Sequence, residues 1–287
     1  MRIMLAVFGT SLLVFHLLER WLTPVLPDAH TGPRRAGWRA DLLHALVNGP
    51  GLSALTKVAA AWALLRLPGV SVMAGWHVAA QFAAYFIVND LGRYWLHRLY
   101  HYSDLLWRIH RVHHSTVEMD SLSLLRIHVL EAVIKNFALS APFAILGVDR
   151  SVIIAYSCID IVKGFWHHAN FRTSVGWLNY LINTAELHWW HHSVERRGHR
   201  SNYGSILSLW DWVFGTAYWP KGEWPDQIGV KGMENFSPHY VDQLLSIRYT
   251  DAELREMLDK DADEPEILPF AAPAAPQRQT KATRKAA

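Results

Sequence analysis

The sequence predicts an all-α integral membrane protein, a helical bundle of four or five spans with a helical cap on one side. Three observations favour this class. The chain of 287 residues is 51% hydrophobic, contains 14 Trp and has only 18% charged residues, which is too apolar for an ordinary soluble domain. Long apolar runs recur along the chain. Most of the arginines lie in segments that such spans would place on one side of a membrane.

The first apolar run, Ile3 to Leu18, predicts a retained transmembrane helix that ends in Glu19 and Arg20. A signal peptide is the alternative, but only Arg2 precedes the run and no small-residue cleavage site follows it. A second stretch, Leu42 to Leu67, is interrupted by Gly and Pro at 49–51 and contains a lysine. It is therefore the weakest of the predicted spans.

Three further spans are predicted at Gly75 to Leu91, Val129 to Leu146 and Val152 to Trp166. Spans of about 20 residues match a hydrocarbon core about 30 Å thick. The last two are separated only by Gly147 to Ser151, which predicts a tight hairpin between two helices.

The arginines then assign sides to the loops. With the N-terminus outside, the basic segments and everything after Asn170 face the cytoplasm. These segments contain Arg34, Arg35, Arg39, Arg93, Arg98, Arg108 and Arg111, whereas the outer loops keep only Arg66 and Arg150. The histidine clusters therefore all fall on the cytoplasmic side, at or beyond helix ends.

Two classes of chemistry receive no support. The formal net charge is only +3 and the basic residues form no long stripe with aromatics, so nucleic-acid binding is not indicated. Cys158 is the only cysteine and lies in an apolar run. An internal disulfide and a thiolate metal cluster are thus excluded, and any metal must be held by nitrogen and oxygen.

Seventeen histidines are unusual for this length, and most lie between His97 and His192 at spacings of three or four. Positions i, i+3 and i+4 share one face of a helix. The patterned residues are His97 and His101, then His110, His113 and His114, then His188, His191 and His192. His128 and His168 are additional candidates because the predicted hairpin returns both to the same side of the membrane.

So many neutral imidazoles in a partly dry site are unfavourable unless they coordinate a cation. Eight to ten histidines exceed what one zinc ion uses, so two adjacent metal ions are expected. Imidazole suits iron, copper, nickel and zinc alike, which leaves the metal open at this point. The remaining histidines, His199 among them, lack partners at ligand spacing, and most are expected to be ordinary. His167 is a separate case, because it adjoins His168 and only one of two adjacent helical residues can face the site.

These motifs resemble the fatty acid hydroxylase and sterol desaturase superfamily over about Gly75 to Thr216. The resemblance rests on Asp90, Tyr94, His97, Arg98 and His101; Trp107 to Ser115; Arg126, His128 and Glu131; Trp166 to Asn170; and His188 to Gly215, including Asn202-Tyr203-Gly204 and Trp210-Asp211. The stretch Phe165 to Thr216, with Asn183-Thr184, also resembles the alkylglycerol monooxygenases. It departs from that subfamily at Ala185-Glu186-Leu187, where a proline and an extra histidine are usual.

The resemblance implies two iron ions, O2 as co-substrate and hydroxylation or desaturation of a lipid that enters from the bilayer. Two electrons are expected from another protein or from a reduced small cofactor such as a pterin. His168 is preferred to His167 because the family places a histidine two residues before an asparagine, here Asn170. Asp90, Glu131 and Asp211 could hold the outer ring nitrogens of ligating histidines, although a helix cap or a surface role is equally open for each.

The expected organisation is N-terminal membrane helices at 1–74, the hydroxylase-like catalytic domain at 75–220, a C-terminal cap segment at 221–260 and a disordered tail at 261–287. Two rival functions remain. A membrane haem protein needs only about two axial ligands per haem. A metal transporter is expected to distribute carboxylates and ligands along its spans, whereas here they gather at one side.

Overall fold

A computed structural model describes residues 2–29, 31–48 and 71–263. This part of the chain is helical and contains no strand beyond one isolated bridge between Ser193 and Ile228. Its helices are α1 Arg2–Trp21, α2 Trp38–Asn48, α3 Val78–Tyr102, α4 Asp104–His114, α5 Val129–Lys135, α6 Ala141–Ile145, α7 Arg150–His168, α8 Ala185–His191, α9 Arg196–His199, α10 Leu209–Val213, α11 Tyr240–Leu245 and α12 Asp251–Asp263.

Helix α1 is the one described helix that is long and apolar enough to cross a membrane. Its 20 residues extend about 30 Å, the thickness of a hydrocarbon core. It packs across α7, where Phe15 stacks on Phe165 and Phe171. Four or five spans are predicted, but only α1 among the described helices meets these criteria. Most of the second predicted span, Leu42 to Leu67, lies outside the described residues.

Helices α3 and α7 are long, but each carries charge along its length. Arg93 of α3 pairs with Asp160 of α7 at 2.8 Å, and Lys163 of α7 is buried. Toward their N-terminal ends the two helices share an aromatic core in which Tyr156 packs against Tyr85. Their C-terminal ends carry His97, His101 and His168, so this pair of helices positions part of the histidine constellation.

The chain returns between α5 and α7 as the sequence predicts. Helices α5 and α6 are joined by a π-helical turn, Asn136–Ser140, whose Leu139 carbonyl accepts a hydrogen bond from Asn89 of α3 at 3.0 Å. The connection to α7 contains Gly147 at φ +74°, in the left-handed region that glycine adopts without strain. Asp149 then caps α7 by accepting from the Ser151 amide.

Buried ion pairs fasten the segment after α1 to the segment before α5. Asp41 of α2 contacts both Arg35 and Arg126, and Arg35 also lies 3.0 Å from Asp120. All four side chains are almost fully buried. Arg35, one of the arginines that predict the topology, therefore also has two internal partners, Asp41 and Asp120.

The C-terminal segment packs against α4. Asp251 of α12 pairs with Arg111 at 2.7 Å and accepts a hydrogen bond from the Trp107 indole at 2.9 Å. Arg111 also donates to the Ser246 and Tyr249 carbonyls. The helix that carries three of the patterned histidines is thus held from its outer side.

Candidate metal centre

Five histidines from three helices form the first group. Their ligand atoms all lie within 4.8 Å of one another. Helix α3 contributes His97 and His101, α4 contributes His110 and His114, and α8 contributes His191. Four of these side chains are buried, so the group faces the interior of the protein.

Four histidines form the second group. His113 comes from α4, His168 from the last turn of α7, His188 from α8 and His192 from the residue after α8, and all four are buried. The two groups lie side by side, because the rings of His114 and His192 stack with centroids 4.3 Å apart. Nine of the ten predicted ligands are therefore brought together.

Each H-x-x-H-H motif contributes to both groups. His110 and His114 belong to the first group and His113 to the second, whereas His188 and His192 belong to the second and His191 to the first. Helix geometry allows this, since residues i and i+4 project about 40° apart and i+3 projects on the other side of i. Each motif therefore places its first and last histidines in one group and its middle histidine in the other.

The spacing of the ring nitrogens fits metal coordination. The Nε2 atom of His110 lies 3.1 Å from Nε2 of His97 and 3.2 Å from Nε2 of His114. Nε2 of His188 lies 3.1 Å from both His168 and His192. Two imidazoles about 2.1 Å from one metal and at a right angle would have nitrogens about 3 Å apart.

Two buried Nε2 atoms of the first group lack a hydrogen-bond partner in the described part of the chain. Nε2 of His101 and of His191 has no hydrogen-bond partner among the described residues, although a buried polar atom is normally paired. A metal ion held at each group would satisfy them. An all-nitrogen donor set of this kind suits iron, copper or zinc.

Burial keeps the imidazoles neutral, as ligands must be. Desolvation lowers the pKa of His110 and of His113 to about 3. It also lowers the pKa of His188, His191 and His192 well below the usual value. At neutral pH their lone pairs are therefore available to a cation.

The outer Nδ1 atoms are fixed by hydrogen bonds in several of these rings, which leaves Nε2 to point inward. His97 bonds the Tyr203 carbonyl at 2.9 Å and His191 the Ser201 carbonyl at 2.7 Å. In the second group, His113 bonds the Arg126 carbonyl and His168 the Ser123 hydroxyl.

Of the three predicted carboxylates, one contacts a histidine. Glu131 Oε2 lies 3.1 Å from His110 Nδ1. Asp90 and Asp211 contact no histidine and instead bind the chain around Tyr203. Asp211 accepts from the Tyr203 and Gly204 amides, and Asp90 from the Ile206 and Leu207 amides. These two residues therefore act on the loop whose carbonyls orient the first group.

Asn202 and Gly204 show why that loop has its sequence. Asn202 adopts φ 55°, a conformation that asparagine tolerates better than most residues. Its amide donates to the Leu187 and Tyr218 carbonyls. A Cβ on Gly204 would lie 2.3 Å from the Leu207 carbonyl oxygen, so no larger residue fits.

The structure places His128, a predicted ligand, in neither of the two groups. Its Nδ1 accepts from the Leu130 amide at 3.1 Å and caps α5, and its Nε2 lies 3.2 Å from the Leu244 carbonyl. Both ring nitrogens are therefore occupied outside the two groups. The sequence predicts that the chain at His128 returns to the side of the histidine clusters, but it does not predict where the His128 imidazole points.

Of the two adjacent histidines His167 and His168, the structure places only His168 in the second group. His168 Nε2 points to His188, whereas His167 Nε2 contacts the Asn183 carbonyl at 2.7 Å and the Lys163 amine. Adjacent residues on a helix point about 100° apart. Only one of the two can face the second group.

His199 was not identified from the sequence, yet it lies against the first group. Its ring centroid is 5.0 Å from those of His101, His114 and Trp107, and its buried Nδ1 has no hydrogen-bond partner in the described part of the chain. It belongs to α9, a separate short helix after the last motif. No ligand spacing connects it to the other histidines, so the local pattern contains no signal for it.

Comparisons with known proteins agree with this site. Residues 82–216 match the family model described as fatty acid hydroxylase. An ornithine lipid hydroxylase of Rhizobium tropici is 26% identical over 236 residues, covering 79% of this chain and 70% of its own length. The human alkylglycerol monooxygenase is 27% identical over 213 residues, covering 73% of this chain.

A methylsterol monooxygenase of Arabidopsis thaliana is 28% identical over 143 residues, or 48% of this chain and 53% of its own length. The match covers 46% of the length of the human alkylglycerol monooxygenase. No solved structure matches this chain. Both histidine groups lie within the segment that the family model matches.

Proposed function

Residues 82–216 match the fatty acid hydroxylase family model, and from this premise we propose that the chain is a membrane-bound di-iron oxygenase that hydroxylates a lipid. The observation that carries the proposal is the pair of buried imidazole groups inside the matched segment. In the balanced reaction, O2, two electrons and two protons convert a C–H bond to C–OH and release one water. Desaturation is the related outcome, in which two hydrogens leave the lipid instead.

We assign one iron to each group. His97, His101, His110, His114 and His191 would hold the first, and His113, His168, His188 and His192 the second. The metals, when bound, would supply the activation of O2. The chain itself orients the imidazoles through the Tyr203, Ser201 and Arg126 carbonyls and Glu131.

The substrate is a lipid because the relatives are named for ornithine lipids, alkylglycerols and methylsterols. We propose entry from the bilayer, several membrane-spanning segments, and a metal centre on the cytoplasmic side. An external protein or a reduced small cofactor would supply the electrons. Hydroxylation is favoured over desaturation because the three relatives named above are hydroxylases and monooxygenases.

Metal analysis and lipid analysis together test this function. The purified full chain is expected to contain about two irons and to show no Soret band, which a haem would produce. Cells that express the gene under 18O2 should contain a lipid that is heavier by one labelled oxygen and is absent from cells with the empty vector. Iron-free protein that still oxidises lipid, or a Soret band with haem iron, would contradict the proposal.

Replacement of His128 and of His168 by alanine should have different effects. His168→Ala is expected to reduce bound iron, because it removes one of four imidazoles of the second group. His128→Ala should retain both irons and lose about 1 kcal/mol of stability or somewhat more, since it removes the cap of α5 and the contact with the Leu244 carbonyl but no member of either group. His167→Ala should also retain both irons. Metal content and thermal melting of the three variants measure this, and equal iron loss in His128→Ala and His168→Ala would contradict it.

The orientation of α7 gives a topology prediction. The helix begins at Arg150 and ends beside the metal centre at His168, so its two ends should face opposite sides. In a Cys158→Ser background, a cysteine in place of Lys221 should react with an impermeant maleimide from the cytoplasm. A cysteine in place of Arg150 should react from the outside. Labelling of both positions from the same side would contradict the proposed orientation.

A further inference from the structure

A polar cleft lies at the C-terminal end of α1. Its volume is about 620 Å³, and it is lined by Glu19, Arg20, Pro24, Leu26, Arg34 and Asn170 among others. The helix is the described segment best suited to cross the bilayer. Trp21, which is 83% exposed, directly follows Arg20. Tryptophan at a helix end is typical of the membrane interface, so the cleft would lie at the depth of lipid headgroups.

Two arginines of the cleft have no anionic partner within the described ranges. Arg20 and Arg34 are both exposed, and neither takes part in an ion pair or a side-chain hydrogen bond among the described residues. Arg35, next to Arg34, is buried and paired with Asp41 and Asp120. The cleft therefore presents two guanidinium groups that remain free to bind an anion, preferably a carboxylate or a phosphate.

The floor of the cleft is preformed. Glu19 is buried and accepts hydrogen bonds from the Ser121 amide, the Ser121 hydroxyl and the Asn170 amide, at 2.6, 3.1 and 3.0 Å. The Asn170 side chain in turn accepts from the Val25 and Leu26 amides at 3.0 and 3.1 Å. Because these contacts fix three chain segments around the cleft, a ligand would not have to order them.

The same contacts connect the cleft to the second histidine group. Asn170 is two residues after His168, a separation of at most about 7 Å along the chain. Ser121 is two residues before Ser123, whose hydroxyl lies 3.0 Å from His168 Nδ1. A headgroup in the cleft would therefore lie close to the metal centre.

We propose that this cleft binds the anionic part of the lipid substrate's headgroup, with Arg20 and Arg34 contacting a carboxylate or a phosphate. This proposal rests on the proposed function, because it takes the bound lipid to be the one that is oxidised. It adds a chemical class, a lipid with an acidic headgroup, and a position for that headgroup relative to the histidines. Glu19 and Asn170 serve as positioning residues for the cleft.

Equilibrium binding of defined lipids to the detergent-solubilised full chain tests the inference. The probes are phosphatidic acid, an N-acyl amino acid and diacylglycerol, all with the same acyl chains, together with inorganic phosphate. Wild-type protein is expected to bind at least one acidic lipid about tenfold or more tightly than diacylglycerol. The acidic lipid that binds more tightly identifies the anionic group that the cleft prefers, a phosphate or a carboxylate.

The variant R20Q/R34Q should lose this preference and keep the iron content of the wild type. The matched control is R150Q, because Arg150 is also exposed but lies at the first residue of α7, and it should retain the preference. An equal affinity for diacylglycerol in the wild type, or an unchanged preference in R20Q/R34Q, would overturn the inference. Binding of inorganic phosphate as tight as that of the acidic lipids would overturn the assignment to a lipid headgroup.

Binding and oxidation are separate readouts. If acidic lipids bind through the two arginines but no lipid is oxidised, the headgroup site stands and the proposed function fails. If a lipid is oxidised with no dependence of its binding on the arginines, the proposed function stands and the headgroup site fails.

Discussion

His113→Ala and His191→Ala should each remove one iron and leave the other. The two residues belong to different motifs and to different groups, His191 to the first and His113 to the second. Each substitution opens a position on one metal only. We expect about one iron per chain in either variant and a loss of oxidation of more than about a hundredfold, because even indirect ligand contacts are worth 10- to 100-fold.

The pair can be compared with a double variant and a control. His113→Ala/His191→Ala should lose both irons. His239→Ala should keep both, because that side chain is exposed and lies before α11. Metal analysis and the iron spectrum of protein purified from membranes measure the outcome. Two irons with normal turnover in both single variants would reject the site, and loss of both irons from each would reject the separation into two groups.

Asp41→Ala should cause a large loss of stability. The Asp41 carboxylate is fully buried and contacts Arg35 and Arg126, the latter at 2.6 Å. Without it, Arg35 keeps its ion pair with Asp120, and Arg126 keeps only its hydrogen bond to the Ser115 hydroxyl. The buried Arg126 guanidinium would then have no carboxylate partner among the described residues. Breaking a buried ion pair by removing one partner costs about 3–5 kcal/mol.

Denaturant unfolding in mild detergent measures this loss. Asp226→Asn is the matched control, because Asp226 is exposed and a surface change of this kind is usually within about 0.5 kcal/mol. A loss of less than about 1 kcal/mol for Asp41→Ala would show that the carboxylate does not stabilise the buried arginines.

Much of this site could be predicted from spacing alone. His97 and His101, and the two H-x-x-H-H motifs, are local patterns, and helix geometry turns each into a set of neighbouring side chains. Nine of the ten predicted ligands lie in the two groups. The same local logic predicts α1 as an apolar helix and the turn at Gly147, because hydropathy and glycine act within one segment.

The outcomes that differ depend on distant parts of the chain. His128 caps α5 and meets the Leu244 carbonyl, 116 residues away. Asp90 binds amides at 206 and 207, and His199 reaches the first group from α9. Sequence spacing contains no information on such contacts, since they form only when separate helices pack.

The sequence by itself therefore determined the kind of site: clustered histidines at metal-ligand spacing in a helical chain, with motifs that resemble those of the fatty acid hydroxylases. Only the tertiary structure decided how the imidazoles divide. His113 and His114 are neighbours in the chain, yet they belong to different groups, because the His114 ring packs against His101 of α3 and the His113 ring against His168 of α7. Which partner a helix face meets is a property of packing and not of its own periodicity.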